Sequence, residues 1–136
     1  MTALPFLDTN VFLRHLVQDH DDHSPRATLY FDRIEHGGLR VETTATVVFE
    51  TVFTLQSFYK HPRPLIRDNV LPLLRLPGIT LPGKRRLRRA FELYTSTNLS
   101  FADCLHVAIA EARRVPEFVS FDRGLDRIPG LNRVEP

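Results

Sequence analysis

Cysteine is almost absent: Cys104 is the single one among 136 residues, so no internal disulfide can form. No apolar run approaches the roughly 20 residues that span a bilayer. Residues 1–8 lack the basic segment, apolar stretch and small-residue cleavage site of a signal peptide. A cytoplasmic, reducing setting is the expectation. Neither sign of charge prevails, with 18 Lys and Arg against 16 Asp and Glu for a net charge of +2. At 25% charged residues the composition is that of a globular chain, not of a disordered or fibrous one. No repeat, low-complexity tract or linker interrupts it. What remains is 43% hydrophobic residues, enough for one globular domain over 1–136 with a real core.

Short apolar runs alternate with helical patterns. Residues 4–7 read as a buried strand ending at Asp8, followed by a helix over 9–17. Ser24-Pro25 predicts the next helix start, with Ser as N-cap and Pro at the first helical position, and Gly37-Gly38 stops it. A strand is expected over 39–42. The segment 43–59 is β-rich in composition but too long for a strand, so a helix capped by Thr43 or Thr44 is chosen. A helix over 65–76 tolerates Pro72 late in its course. A strand follows over 79–81, then a basic amphipathic helix over 84–97 and a helix over 101–114 opened by Ser100. Residues 118–121 and 131–134 read as strands, with a turn or short helix over 122–128. This alternation implies an α/β fold with a parallel sheet covered by helices on both faces.

Charge is distributed unevenly. Lys84, Arg85, Arg86, Arg88 and Arg89 crowd one stretch and suit a polyanion, although a solvated helix face reads equally well. Several acids stand apart in apolar surroundings. In an open parallel sheet, sites form at the carboxyl ends of the strands. Asp8 and Asp122 end strands, and Asp103 opens a helix, so the three are expected at one rim. Each also has a plainer use: Asp8 as a helix cap, Asp103 on a helix dipole, Asp122 in a turn. Glu50 lies between Phe49 and Val52. If buried it must be paired or metal-bound; if the helix is amphipathic it points at water. Four acids at one point would repel, and a divalent cation would relieve the repulsion. The six histidines show no metal spacing, so oxygen ligands favour Mg²⁺ or Mn²⁺ over zinc. Such a site suits phosphodiester hydrolysis, with Asp8 and Asp103 as principal ligands and Asp122 and Glu50 completing the set directly or through water. Asn10 and Ser120 would orient ligands, and Asp126 is a reserve ligand.

Four pieces in order carry a resemblance: Phe6-Leu7-Asp8-Thr9-Asn10, Glu50 in the apolar middle segment, Leu99-Ser100-Phe101-Ala102-Asp103, and Ser120-Phe121-Asp122. With these the chain resembles the PIN-domain family, and within it the VapC-type toxins of toxin–antitoxin pairs. The resemblance implies a three-layer α/β/α domain around a central, mostly parallel sheet of four to five short strands. It further implies Mg²⁺- or Mn²⁺-dependent RNA cleavage, dimerisation and inhibition by a cognate antitoxin. Ser120 stands where the family often has Thr, which keeps the hydroxyl.

Two rival readings stay open on the sequence. Asp8-Thr9-Asn10-Val11 is similar to the opening motif of haloacid-dehalogenase-like phosphatases, which would make Asp8 a nucleophile, but Asn10 replaces that motif's second acid. A catalytically silent PIN-like module binding RNA or protein would have no need of four acids. Leu71, Leu73, Leu74 and Leu76 with Phe53, Phe58 and Tyr59 supply more apolar surface than a small core absorbs, which suggests a homodimer contact as readily as core packing.

Overall fold

A computed structural model describes residues 3–136; the first two residues of the stretch read for a leader lie outside the described residues. The chain divides into two compact units, Met1–Lys84 and Arg85–Pro136. Both are mixed α/β, mostly helical, with short parallel strands.

The N-terminal unit contains α1 (Thr9–Val17), α2 (His23–Glu35), β1 (Val41–Glu42), α3 (Ala45–Ser57), α4 (Arg63–Leu74) and β2 (Ile79–Thr80). β1 pairs in parallel with β2 in the register Val41 to Ile79. On its other side β1 meets residues 5–7: the Leu7 N–H donates to Glu42 O at 2.8 Å and the Glu42 N–H to Pro5 O at 2.9 Å. The expected first strand is thus present as this short pairing. Only Leu7 in it is buried; Phe6 is 54% exposed.

The helices follow from local chemistry. α3 begins where the extended Thr44 accepts the Val47 N–H on its hydroxyl at 3.4 Å, the cap that the sequence offered. α2 starts earlier than Ser24-Pro25 predicts. The ring nitrogen Nδ1 of His20 accepts the N–H groups of Asp22 and His23, and Ser24 Oγ instead accepts the His20 N–H. A histidine therefore does the capping that the sequence assigned to serine. Pro72 sits inside α4, which ends two residues later. Phe12, Phe31, Val48, Val52, Leu55, Ile66, Val70, Leu74 and Ile79 are buried, with Phe12 and Phe31 rings 5.2 Å apart. Each such side chain contributes about 1.5–3 kcal/mol on leaving water.

A 3₁₀ turn at Lys84–Arg86 leads into α5 (Leu87–Ser96), the first helix of the C-terminal unit. There follow α6 (Phe101–Arg113), β3 (Phe118–Val119), a 3₁₀ turn at Arg123–Arg127 and β4 (Arg133–Val134). β3 and β4 pair in parallel. The amphipathic spacing in α5 buries Leu87, Ala90, Phe91 and Tyr94, and Phe101 from α6 closes on this cluster, 4.8 Å from Phe91. Cys104 is buried here, as core. Among the described residues no helix is long and apolar enough to cross a membrane.

Candidate metal centre

Asp103 and Asp122 line one hollow of the C-terminal unit, of about 620 Å³, together with Asn98, Ser100, Gly124 and Arg127. Each is placed by a serine. Ser100, extended at the N-cap of α6, accepts the Asp103 N–H on Oγ at 3.1 Å. Asp103 therefore sits in the first turn, half-buried, its backbone fixed while its carboxylate has no hydrogen-bond partner among the described residues. Ser120 Oγ accepts the Asp122 N–H at 3.0 Å just beyond β3. Asp122 Oδ1 then accepts the Gly124 N–H at 2.8 Å, an Asx turn that leaves Oδ2 open. A Cβ at position 124 would lie 3.0 Å from Asp122 Oδ1, so glycine gives the carboxylate its room. Sequence reasoning read Asp122 as a possible turn residue but assigned neither Gly124 nor Arg127 to the site, although Asp122-Arg123-Gly124 has the spelling of such a turn.

The other acids are placed as follows. Asp8 ends the paired segment 5–7 at the N-cap of α1, exposed, and makes no side-chain capping bond. It occupies the cap position, as its plainer use expects, without supplying the side-chain bond of a cap. Thr9 Oγ1, next in the chain, is buried without a hydrogen-bond partner among the described residues. Asn10 is exposed on α1. Glu50 is exposed on α3, and its neighbours Phe49 and Phe53 share the surface with it. The case for Glu50 from burial in an apolar segment therefore falls, because α3 turns a partly aromatic face outward. Asp126 is taken up by Arg133, which donates from Nε at 2.7 Å and from Nη2 at 3.2 Å. Those bonds hold the Asp126 carboxyl below its usual range, so it faces a cation already.

The basic stretch also resolves residue by residue. Lys84 Nζ donates to Leu76 O and Ile79 O, each at 2.7 Å, and partial burial pulls its pKa below the usual value. It braces the chain around β2 rather than facing a polyanion. Arg89 makes a two-pronged bond to Glu111, at 2.8 and 3.1 Å, and Arg88 lies 3.7 Å from Glu92. Arg85 is exposed and Arg86 half-buried. His106 is exposed. A separate exposed trio, Asp32, Glu35 and His36 at the end of α2, brings possible ligand atoms within 4.8 Å. His36 there is already bonded to the Asp32 carbonyl, which together with the Asp32 carboxylate pushes its pKa up.

Two aspartates committed to no cationic side chain, lining one open hollow, offer hard oxygen ligands, and this donor set fits a hard divalent cation. The mixed α/β architecture with short parallel strands agrees with the comparison to known families. The sequence profile of the PIN domain family matches residues 6–131, and the chain belongs to that family. It is also similar to a VapC ribonuclease of Aquifex aeolicus (strain VF5), at 27% identity over 133 residues that cover 98% of this chain and 97% of that protein.

Proposed function

We propose that this chain is a metal-dependent endoribonuclease that hydrolyses RNA phosphodiester bonds, the toxin of a toxin–antitoxin pair. The observation that carries the reading is the pairing of Asp103 and Asp122 in one hollow of a PIN-family chain, both fixed through their backbones and both unclaimed by a cationic side chain. Asp8, Asp103, Asp122 and Glu50 would hold Mg²⁺ or Mn²⁺, Glu50 directly or through water. A bound cation of this kind lowers the pKa of water and stabilises charge on phosphate oxygens. The protein's own part is placement. Ser100 and Ser120 fix the two aspartates, Gly124 keeps Asp122 accessible, and Arg127 on the same hollow offers a positive charge to a phosphate. Asn10, exposed two residues beyond Asp8, is assigned to orientation of the ligand set.

The same reading makes the chain one PIN-like domain of three layers acting on RNA in the cytoplasm. An antitoxin is the expected inhibitor. A homodimer is expected too, since Phe53 and Phe58 are 57% and 74% exposed in the region of α3. Total RNA incubated with the protein in Mg²⁺ or Mn²⁺ should be cut. The paired change Asp8→Asn with Asp103→Asn should abolish the cutting without loss of fold. Cleavage that survives the paired change, or that runs equally well in chelator, would overturn the assignment. Retained RNA binding without cleavage by the parent chain would mark the silent module instead.

A further inference from the structure

A hollow of about 500 Å³ lies in the N-terminal unit, lined by α1 and α2 together with Phe6 and Leu7, and its volume is in the range of ligand sites. Helical spacing builds it. Asn10 and Arg14 stand one turn apart on α1, and His23, Arg26 and Tyr30 recur along one face of α2. Among the described residues that line it there is no carboxylate. The neighbouring hollow, lined from α1, α2 and α4, contrasts sharply: Asp32, Glu35 and Asp68 border it.

Three features give this groove a chemistry. First, Arg14 and Arg26 bring positive charge. Their present partners are Asp19 at 3.5 Å and Asp22 at 3.1 Å, in pairs whose side chains are all more than a third exposed. Surface pairs of this kind are worth about 0–1 kcal/mol, so a phosphate can replace them. Second, Phe6 keeps 54% of its surface in water, although its neighbour Leu7 is buried. An exposed ring at the edge of a basic groove is a platform for an unstacked base. Third, Leu7 and Asn10 bracket Asp8 in the chain, so the groove adjoins one of the proposed metal ligands.

We propose that the groove between α1 and α2 holds a single-stranded segment of the RNA substrate, with phosphates on Arg14 and Arg26 and a base stacked on Phe6. The proposal rests on the ribonuclease reading and adds to it the path of the strand. A duplex is excluded as the preferred occupant because paired bases stay stacked inside the helix and present no face to Phe6.

The test is fluorescence anisotropy of a labelled, unstructured 12-nucleotide RNA on the full chain, in chelator so that nothing is cut, over a series of KCl concentrations. Arg14→Gln with Arg26→Gln should weaken binding at least tenfold and flatten the slope of log K against log salt by about 1.4, for two phosphates released from single-stranded RNA. Phe6→Ala and Phe6→Leu should each weaken binding about tenfold and leave the slope unchanged. Arg40→Gln with Arg75→Gln removes the same charge outside the groove and should change affinity less than twofold. Unlabelled single strand should compete and duplex of the same sequence should not. Groove variants that bind like this control overturn the proposal, while metal-dependent cleavage by the parent chain leaves the ribonuclease reading standing. A parent chain that neither binds nor cuts RNA removes both. Displacement of the RNA by polyglutamate as readily as by unlabelled RNA also overturns the proposal, marking a groove for acidic protein segments.

Discussion

Replacing Ser100 with alanine separates the cap of α6 from everything else in the C-terminal unit. The first N–H groups of a helix have no partner within it, and Ser100 Oγ supplies one to Asp103 at 3.1 Å. Removing such an acceptor costs about 1 kcal/mol, within a range of roughly 0.5–2. For a chain of this length that lowers Tm by about 3–5 °C, read by thermal unfolding followed in the far ultraviolet. The larger effect falls on the site, because the lost bond is made by the backbone of Asp103 itself. A displacement near 1 Å at a positioned group costs on the order of 10²-fold in rate. A partly frayed first turn should therefore lower metal-dependent RNA cleavage about tenfold. Ser100→Asn, which can still accept the bond, should recover most of both losses. An alanine variant that melts within 1 °C of the parent and cuts RNA at full rate would refute the reasoning. So would an asparagine variant as damaged as the alanine one.

Two further predictions concern the N-terminal unit. His15 is half-buried against Phe31, with Nδ1 2.9 Å from Thr28 Oγ1, and burial lowers its pKa from the ordinary 6.5. The unfolded chain takes up the proton first, so the stability that neutral His15 contributes is whole above pH 6.5 and is lost as pH falls through its lowered folded value. Tm measured between pH 7.5 and 5 should fall less steeply for His15→Gln than for the parent; coincident profiles would count against this. Lys84→Ala should lower Tm, since the Leu76 and Ile79 carbonyls lose a charged donor, yet leave RNA affinity within twofold. A variant with normal Tm and weakened RNA binding would return Lys84 to the polyanion-binding face.

Helix existence was readable wherever a cap or breaker stood beside an apolar period. α1 runs over the expected residues, and Ser100 and Thr44 cap the helices they were expected to open. The start of α2 was misread because its cap is an imidazole reaching forward from the preceding loop, a device with no sequence signature. The strands came out shorter than the apolar runs around them, since pairing needs a partner on the sheet as well as a β-prone sequence: Phe118 and Val119 pair, whereas Phe121 stands 72% exposed. Glu50 shows the other weakness of pattern reading. The run from Val47 to Phe53 is apolar enough to lie buried all round, but α3 buries Val47, Val48, Thr51 and Val52 and leaves Phe49, Glu50 and Phe53 outside. At the candidate site, residue identity and spacing pointed to Asp103 and Asp122. The engagement of Asp126 by Arg133 depends on a β-pairing that no local pattern records.

The parallel pairing has a bearing on how the protein is made. Residues 5–7 find their partner only when β1 arrives, and β1 waits for β2 until the whole of α3 and α4 has been synthesised. At bacterial or eukaryotic elongation rates of about 5–20 residues per second, that wait lasts some seconds. Throughout it the nascent chain carries the open edge of β1 that β2 later covers. Holding factors at the ribosome exit would act in this interval, and slow codons placed between 42 and 79 would lengthen it.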